Sequence, residues 1–247
     1  MKLMKLIIFM LLLQGAVGAT LEIENSCNYN IWPAISNNPS SPLVPKDLTG
    51  FLLPPNASKT IPIPSGWSGR LWARTLCAPA GRFHRLNCTT GDCNTGALQC
   101  GSLPHPPITL IDINSASSAA LNDSYELTLV AGFNVPVSVI PPRDSGCRVA
   151  SCTADVNAAC PPELRLVANE GGGGDQVIAC MSACQALNDD VECCSGEYRG
   201  VDKCKPTKYN DFFKGLCPSA MTHFLDNCST FGCASGSDYV IRFCGGV

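Results

Sequence analysis

Seventeen cysteines in a chain of 247 residues constrain this fold more than any other feature. Oxidised, they staple the backbone at many points; reduced, they would hold metal. The stretch from Gly81 to Cys100, GRFHRLNCTTGDCNTGALQC, poses the choice most directly. Cys88 and Cys93 flank the turn-former Thr90-Gly91-Asp92, and Cys100 follows after Asn94-Thr95-Gly96. Nothing in it has helical periodicity, and glycine turns closed by sulfurs read as disulfide-stapled loops. A zinc knuckle would need a matching second Cys pair and a reducing compartment.

The N-terminus argues for an oxidising one. Residues 1–18 carry Lys2 and Lys5, an apolar run from Leu6 to Leu13, and the small residues Ala16 and Gly18. This is the layout of a secretory signal peptide cleaved before Ala19. The run is too short to span a bilayer, and no later apolar run approaches the ~20 residues a spanning helix needs. The chain stops soon after Cys244 with no hydrophobic tail for a lipid anchor and no retention signal, so secretion is expected. Removing residues 1–18 takes away two lysines and no acid, which moves the formal charge from −3 to −5. Nucleic acids and anionic membranes recruit clustered Lys and Arg, which this chain lacks, and neither is expected as a partner.

Period-two alternation dominates the first half. Thr20 to Cys27, Tyr29 to Ile35, Arg70 to Thr75, Ile108 to Ile113, Ser124 to Val130 and Val135 to Val139 read as strands. Asn37 to Pro64 is proline-rich, with short β-like pieces at Gly50 to Leu53 and Lys59 to Ile63, which suits edges and loops. In Arg70 to Thr75 the alternation puts Arg70, Trp72 and Arg74 on one face. Short strands separated by turns predict a mainly β protein, a β-sandwich of jelly-roll type over residues 19–146 closed by 234–247. Residues 147–233 hold most of the cysteines and read as a disulfide-rich loop and helix domain. There Asp175 is expected to cap a helix with Val177, Cys180, Met181, Cys184 and Leu187 on one face. Gly171 to Gly174 lack the Lys-Ser/Thr ending of a phosphate loop and read as a hinge.

No hydrolase motif is present. Gly66-Trp67-Ser68-Gly69 lacks nucleophile-elbow spacing, and His84, His105 and His223 have no metal-ligand spacing and read as surface or loop residues. No metal and no cofactor are expected. Sequons occur at Asn56, Asn87, Asn122 and Asn227. Asn56 and Asn122 are the better candidates, because Asn87 and Asn227 have cysteine in the middle position.

The run CTTGDCNTGALQC, preceded by RLWARTLC (Arg70 to Cys77) and followed by GFNVP (Gly132 to Pro136), resembles the thaumatin-like proteins, the fifth group of plant pathogenesis-related proteins. ACMSACQALNDDVECCSG, CKPTKYNDFFKGLCP and the closing YVIRFC extend the resemblance over nearly all of the chain after residue 18. Sixteen cysteines can pair in about two million ways, so spacing alone fixes nothing. The resemblance implies Cys27–Cys244, Cys77–Cys88, Cys93–Cys100, Cys147–Cys233, Cys152–Cys217, Cys160–Cys180, Cys184–Cys193 and Cys194–Cys204. Cys228 is left over, read as a buried free thiol with an intermolecular link as the alternative.

The resemblance also implies an acidic interdomain cleft, a furrow between the sandwich and the disulfide-rich domain lined by one Arg, one Glu and three Asp. Position by position, Arg70 matches the arginine and Asp226 the last Asp. Asp112 stands where Glu is usual, Glu126 stands where Asp is usual, and Ala131 replaces the remaining Asp. The implied function is a secreted, apoplastic or cell-wall, monomeric defence glycoprotein that binds β-1,3-glucan or a similar polysaccharide, with an antifungal role. Trp72 or tyrosine rings are candidate stacking surfaces. Two alternatives stay open: weak endo-β-1,3-glucanase activity with Asp112 and Glu126 as catalytic candidates, and protein binding, such as inhibition of a microbial hydrolase.

Overall fold

The computed structural model describes residues 18–83, 85–169, 175–226 and 229–246. Residues 1–17 of the expected signal peptide, His84, the Gly171–Gly174 hinge, Asn227 and Cys228 lie outside the described residues.

The alternation read from the sequence builds two stacked sheets. One runs in the order β3 (Ser58–Ile63), β1 (Ala19–Asn25), β13 (Tyr239–Phe243), β8 (Val137–Ile140) and β9 (Ala150–Cys152). The other runs β12 (Thr230–Ala234), β7 (Asn122–Thr128), β6 (Leu110–Asn114), β4 (Ser68–Ala80) and β2 (Trp32–Asn37), with β5 (Arg85–Thr90) pairing the second half of β4. Leu21, Ile23, Ile61, Ile241 and Phe243 from the first sheet meet Ile35, Leu71, Ile111 and Leu127 from the second in one core, all at 0% exposure. That burial removes apolar surface from water on one face of each sheet and makes the sandwich. β1 and β13 pair in parallel, Leu21 opposite Tyr239, and Cys27–Cys244 closes the pair across a sequence separation of 217 residues.

The other face of the six-stranded sheet is covered in part. Trp72 and Ala34 pack with Cys93, Cys100, Ile108 and Leu110 in a second cluster, under the loop from Gly91 to Cys100. Trp72 Nε1 donates to the Gly91 carbonyl (2.8 Å). Gly91 has φ +68°, and a Cβ there would lie 3.0 Å from Trp72 Cδ1, so the turn takes glycine on both counts. Arg74, 1% exposed, holds the loop from below by donating to the carbonyls of Trp32 (3.1 Å), Ala97 (3.3 Å) and Leu98 (2.7 Å). Burial lowers the Arg74 pKa to about 10, with Asp92 opposing, which leaves the guanidinium charged at neutral pH.

Eight bridges are present among the described residues, in the pairing that the resemblance implies. Each is worth roughly 2–4 kcal/mol through the unfolded chain it constrains. Between Cys147 and Cys233 the helices are short: α1 (Val156–Ala159), α2 (Ala183–Leu187), α3 (Asp190–Cys193) and α4 (Lys208–Leu216). The helix expected from Asp175 is instead a strand followed by a turn of helix. β11 (Asp175–Cys180) pairs antiparallel with β10 (Arg165–Asn169), and only after Met181 does α2 begin, capped by Ser182. Two backbone bonds between Cys180 and Phe133, both 2.8 Å, hold Cys180 extended. The longest helix among the described residues, α4, has no counterpart in the sequence reading. It opens on a capping box formed by Thr207 and Asn210.

Candidate functional site

Register places one polar residue per strand across the six-stranded sheet. Thr230 on β12 lies opposite Glu126 on β7, Glu126 opposite Asp112 on β6, Asp112 opposite Arg70 on β4, and Arg70 opposite Ser36 on β2. The adjacent rung, Ile35, Leu71, Ile111 and Leu127, is fully buried in the inter-sheet core. Because side chains alternate along a strand, Arg70, Asp112, Glu126 and Thr230 share the opposite face. Directly opposed side chains start from Cβ atoms ~4.5–5.5 Å apart, so the row is a contiguous strip of charge and hydroxyl.

The strip is internally paired. Arg70 Nε lies 2.9 Å from Asp112 Oδ1, with side chains 36% and 19% exposed. Thr230 Oγ1 donates to Glu126 Oε2 at 2.7 Å, while Ser36 is buried at the end of the row. Three of the four charged residues named from the sequence thus come together. Asp226 lies on the segment leaving the Thr128–Met221 bridge, and its Oδ2 takes Lys214 Nζ at 2.6 Å and Ser229 Oγ at 3.1 Å. Lys214 and Thr230 were missed by the sequence reading. Neither has a motif, and each enters through a partner visible only in three dimensions.

Chemically, the row offers guanidinium donors, carboxylate acceptors and a hydroxyl on a half-buried face, which suits a polyhydroxylated neutral ligand. Asp112 and Glu126 are neighbours on one sheet face. A glycosidase pair must flank the scissile bond, one carboxyl on each side.

Two sequence expectations are corrected here. Trp72 has 0% exposure under the Gly91 to Cys100 loop and offers no ring to a ligand. His223 is 6% exposed rather than a surface residue. Its Nδ1 accepts from Leu225 N (3.2 Å), which leaves the proton on Nε2, aimed at Cys204 Sγ (3.1 Å). Ala131 packs on the Trp72 cluster, and its carbonyl accepts from Ile108 N (3.1 Å). His105 is exposed, as are Asn56, Asn87 and Asn122.

Residues 25–245 match the thaumatin family. The chain belongs to the thaumatin family. Among its relatives are thaumatin-like protein 1 of Castanea sativa, 41% identical with 94% of this chain and 93% of the relative covered, and thaumatin-like protein 1a of Malus domestica, 39% identical with 98% and 96% covered. A Prunus avium member named glucan endo-1,3-beta-glucosidase is 38% identical over 93% of this chain and 92% of its own. The solved structure of the thaumatin-like xylanase inhibitor TLXI superposes with a TM-score of 0.50 at 21% identity, covering 91% of this chain and 99% of that one, and shares the fold. The thaumatin fold accounts for the mainly β architecture and the dense bridges. Among the described residues, no helix is long and apolar enough to cross a membrane.

Proposed function

We propose that this thaumatin-family chain is a secreted plant defence protein that binds a neutral cell-wall polysaccharide of the β-1,3-glucan type along the Arg70, Asp112 and Glu126 row, with an antifungal effect following from that binding. The observation that carries the reading is the row itself: complementary charges and a threonine hydroxyl, one per strand, on the uncovered part of a rigid sheet. Successive sugar units offer hydroxyls that both donate and accept, and the row supplies both kinds of partner. Sheet pairing holds its five strands in register, with Cys147–Cys233 anchoring β12 and Cys77–Cys88 joining β4 to β5, so little ordering is left for the ligand to drive.

Weak endo-β-1,3-glucanase activity is the second reading, favoured by the name of the Prunus avium relative. Three features rank it below binding: the side-by-side placement of Asp112 and Glu126, the engagement of Asp112 with Arg70, and alanine at position 131. Cosedimentation of the mature protein with insoluble β-1,3-glucan, followed by a reducing-sugar assay on the supernatant, separates the readings. Binding without release supports the module, and release of sugar supports the enzyme. Neither outcome leaves only protein binding, such as inhibition of a microbial hydrolase.

A further inference from the structure

A cavity of about 990 Å³ opens at the other end of β4 from the polar row, between Tyr29–Trp32, Thr75–Cys77, α1 and the β10–β11 hairpin. None of Arg70, Asp112, Glu126 or Asp226 lines it. Arg70 and Thr75 lie five positions apart on one strand. At ~3.3 Å per residue that puts the two positions roughly 17 Å apart along the strand, and the odd spacing turns their side chains to opposite faces. The volume is at the upper end of the ~300–1,000 Å³ typical of small-molecule sites.

The walls specify what fits. Among the described residues, the charged groups lining the cavity are Asp155 and Arg165, one of each sign, so they form no basic cluster to recruit a phosphate or a polyanion. Two aromatic residues with open surface stand in the wall. Tyr29 is 43% exposed, and Trp32 is partly exposed whereas Trp67 and Trp72 are at 0%. Burial, and then the Asp155 carboxylate, raise the Tyr29 pKa, so its phenol remains a donor. Asn157 spends its amide hydrogens on the carbonyls of Asn134 (3.2 Å) and Ile178 (3.3 Å), and its buried Oδ1 has no partner within the chain. Gln176 is exposed at the rim. Ring faces beside donors and acceptors, with one charge of each sign among the described residues, match a pyranose, whose CH face is apolar and whose edge is all hydroxyl. A lipid would want an unbroken apolar wall, and the polar groups here interrupt it.

We propose that this cavity is a second carbohydrate site, taking a short neutral oligosaccharide independently of the polar row. A polysaccharide long enough to reach both sites would then be held at two points, and the second contact would be intramolecular.

Trp32 supplies the reporter. Acrylamide quenching of tryptophan fluorescence is measured on the mature protein while hexasaccharides of β-1,3-linked glucose, β-1,4-linked glucose and β-1,4-linked xylose are titrated in. At least one of them is expected to protect a quenchable component that Trp32→Phe removes. That protection should persist in Glu126→Gln, which alters only the row. Tyr29→Ala should weaken it by about three- to tenfold, the loss of one stacked ring. Gln176→Ala, a rim change that leaves the core untouched, should weaken it in the same direction. Three results overturn the proposal: no protection by any of the sugars, protection that survives Trp32→Phe, or protection lost in Glu126→Gln. Because Glu126→Gln is silent at this site, failure of glucan binding at the row does not remove the expected signal.

Discussion

The ammonium of Lys214 sits 2.6 Å from Asp226 Oδ2 and 2.8 Å from Ser229 Oγ, so this carboxylate is already balanced from within the chain. Lys214 also donates to the Ala220 carbonyl (2.9 Å), which ties the last turn of α4 to the segment that returns to the sheet. Its side chain is 35% exposed, so solvent discounts the ion pair to about 1 kcal/mol or less. The lost bonds to Ala220 and Ser229 add to that. Lys214→Met is expected to cost about 1–2 kcal/mol in urea unfolding. No loss would show that Asp226 is held by other contacts.

Arg74 is the larger structural dependence. It is buried, charged and bonded to three carbonyls, two of them in the loop that covers Trp72. Arg74→Met keeps much of the volume and strands those carbonyls, at an expected cost of about 2–4 kcal/mol. Thermal unfolding reads the loss, and tryptophan fluorescence should report water reaching Trp72.

Acid sensitivity is expected to pass through His223. Burial holds its pKa below the ordinary value of 6.5, with the Asp226 carboxylate opposing. The unfolded chain regains the ordinary value and therefore binds the proton first as pH falls. Stability from this residue is full above about 6.5 and declines below it, until the folded imidazole itself protonates. His223→Asn can keep the acceptor for Leu225 N and removes the titration. The slope of stability against pH between about 7 and 5 should flatten in that variant, and an unchanged slope would assign the effect to other groups.

How much of this was legible in the sequence follows from what each signal measures. Alternation at Leu21 and Ile23, or at Arg70, Trp72 and Arg74, reports a pleated strand directly, and those strands are where the pattern put them. The helix read from Asp175 failed for a physical reason. Two of its supposed face residues, Cys180 and Cys184, are bonded to Cys160 and Cys193, so their spacing reflects disulfide partners rather than a helix face. The row needed register, which no local pattern carries. The resemblance named Arg70, Asp112 and Glu126, but their opposition across three strands is a property of the assembled sheet. Trp72 shares their face, yet its burial depends on a loop about twenty residues away in the chain.

Glycan addition is expected at Asn56 and Asn122. Both are exposed, Asn56 in a turn with φ +59° and Asn122 at the first position of β7. Glycopeptide mass spectrometry on protein secreted from a plant host should find both occupied. Asn87, also exposed, has the half-cystine Cys88 in its sequon and is expected to be occupied less.

The most direct test of the central claim is a calorimetric titration of a soluble β-1,3-glucan into wild-type protein, Glu126→Gln, Arg70→Gln and Ala131→Asp, with reducing-sugar release followed in the same samples. Losing one partner of a charge-assisted hydrogen bond costs ~1.5–3 kcal/mol, so Glu126→Gln and Arg70→Gln should each weaken binding by about tenfold or more. Wild type should release no sugar, and Ala131→Asp, which puts an acid where the resemblance implies one, should raise release above background. Unchanged affinity in both row variants would contradict the account. So would robust hydrolysis by wild type that Glu126→Gln or Asp112→Asn abolishes.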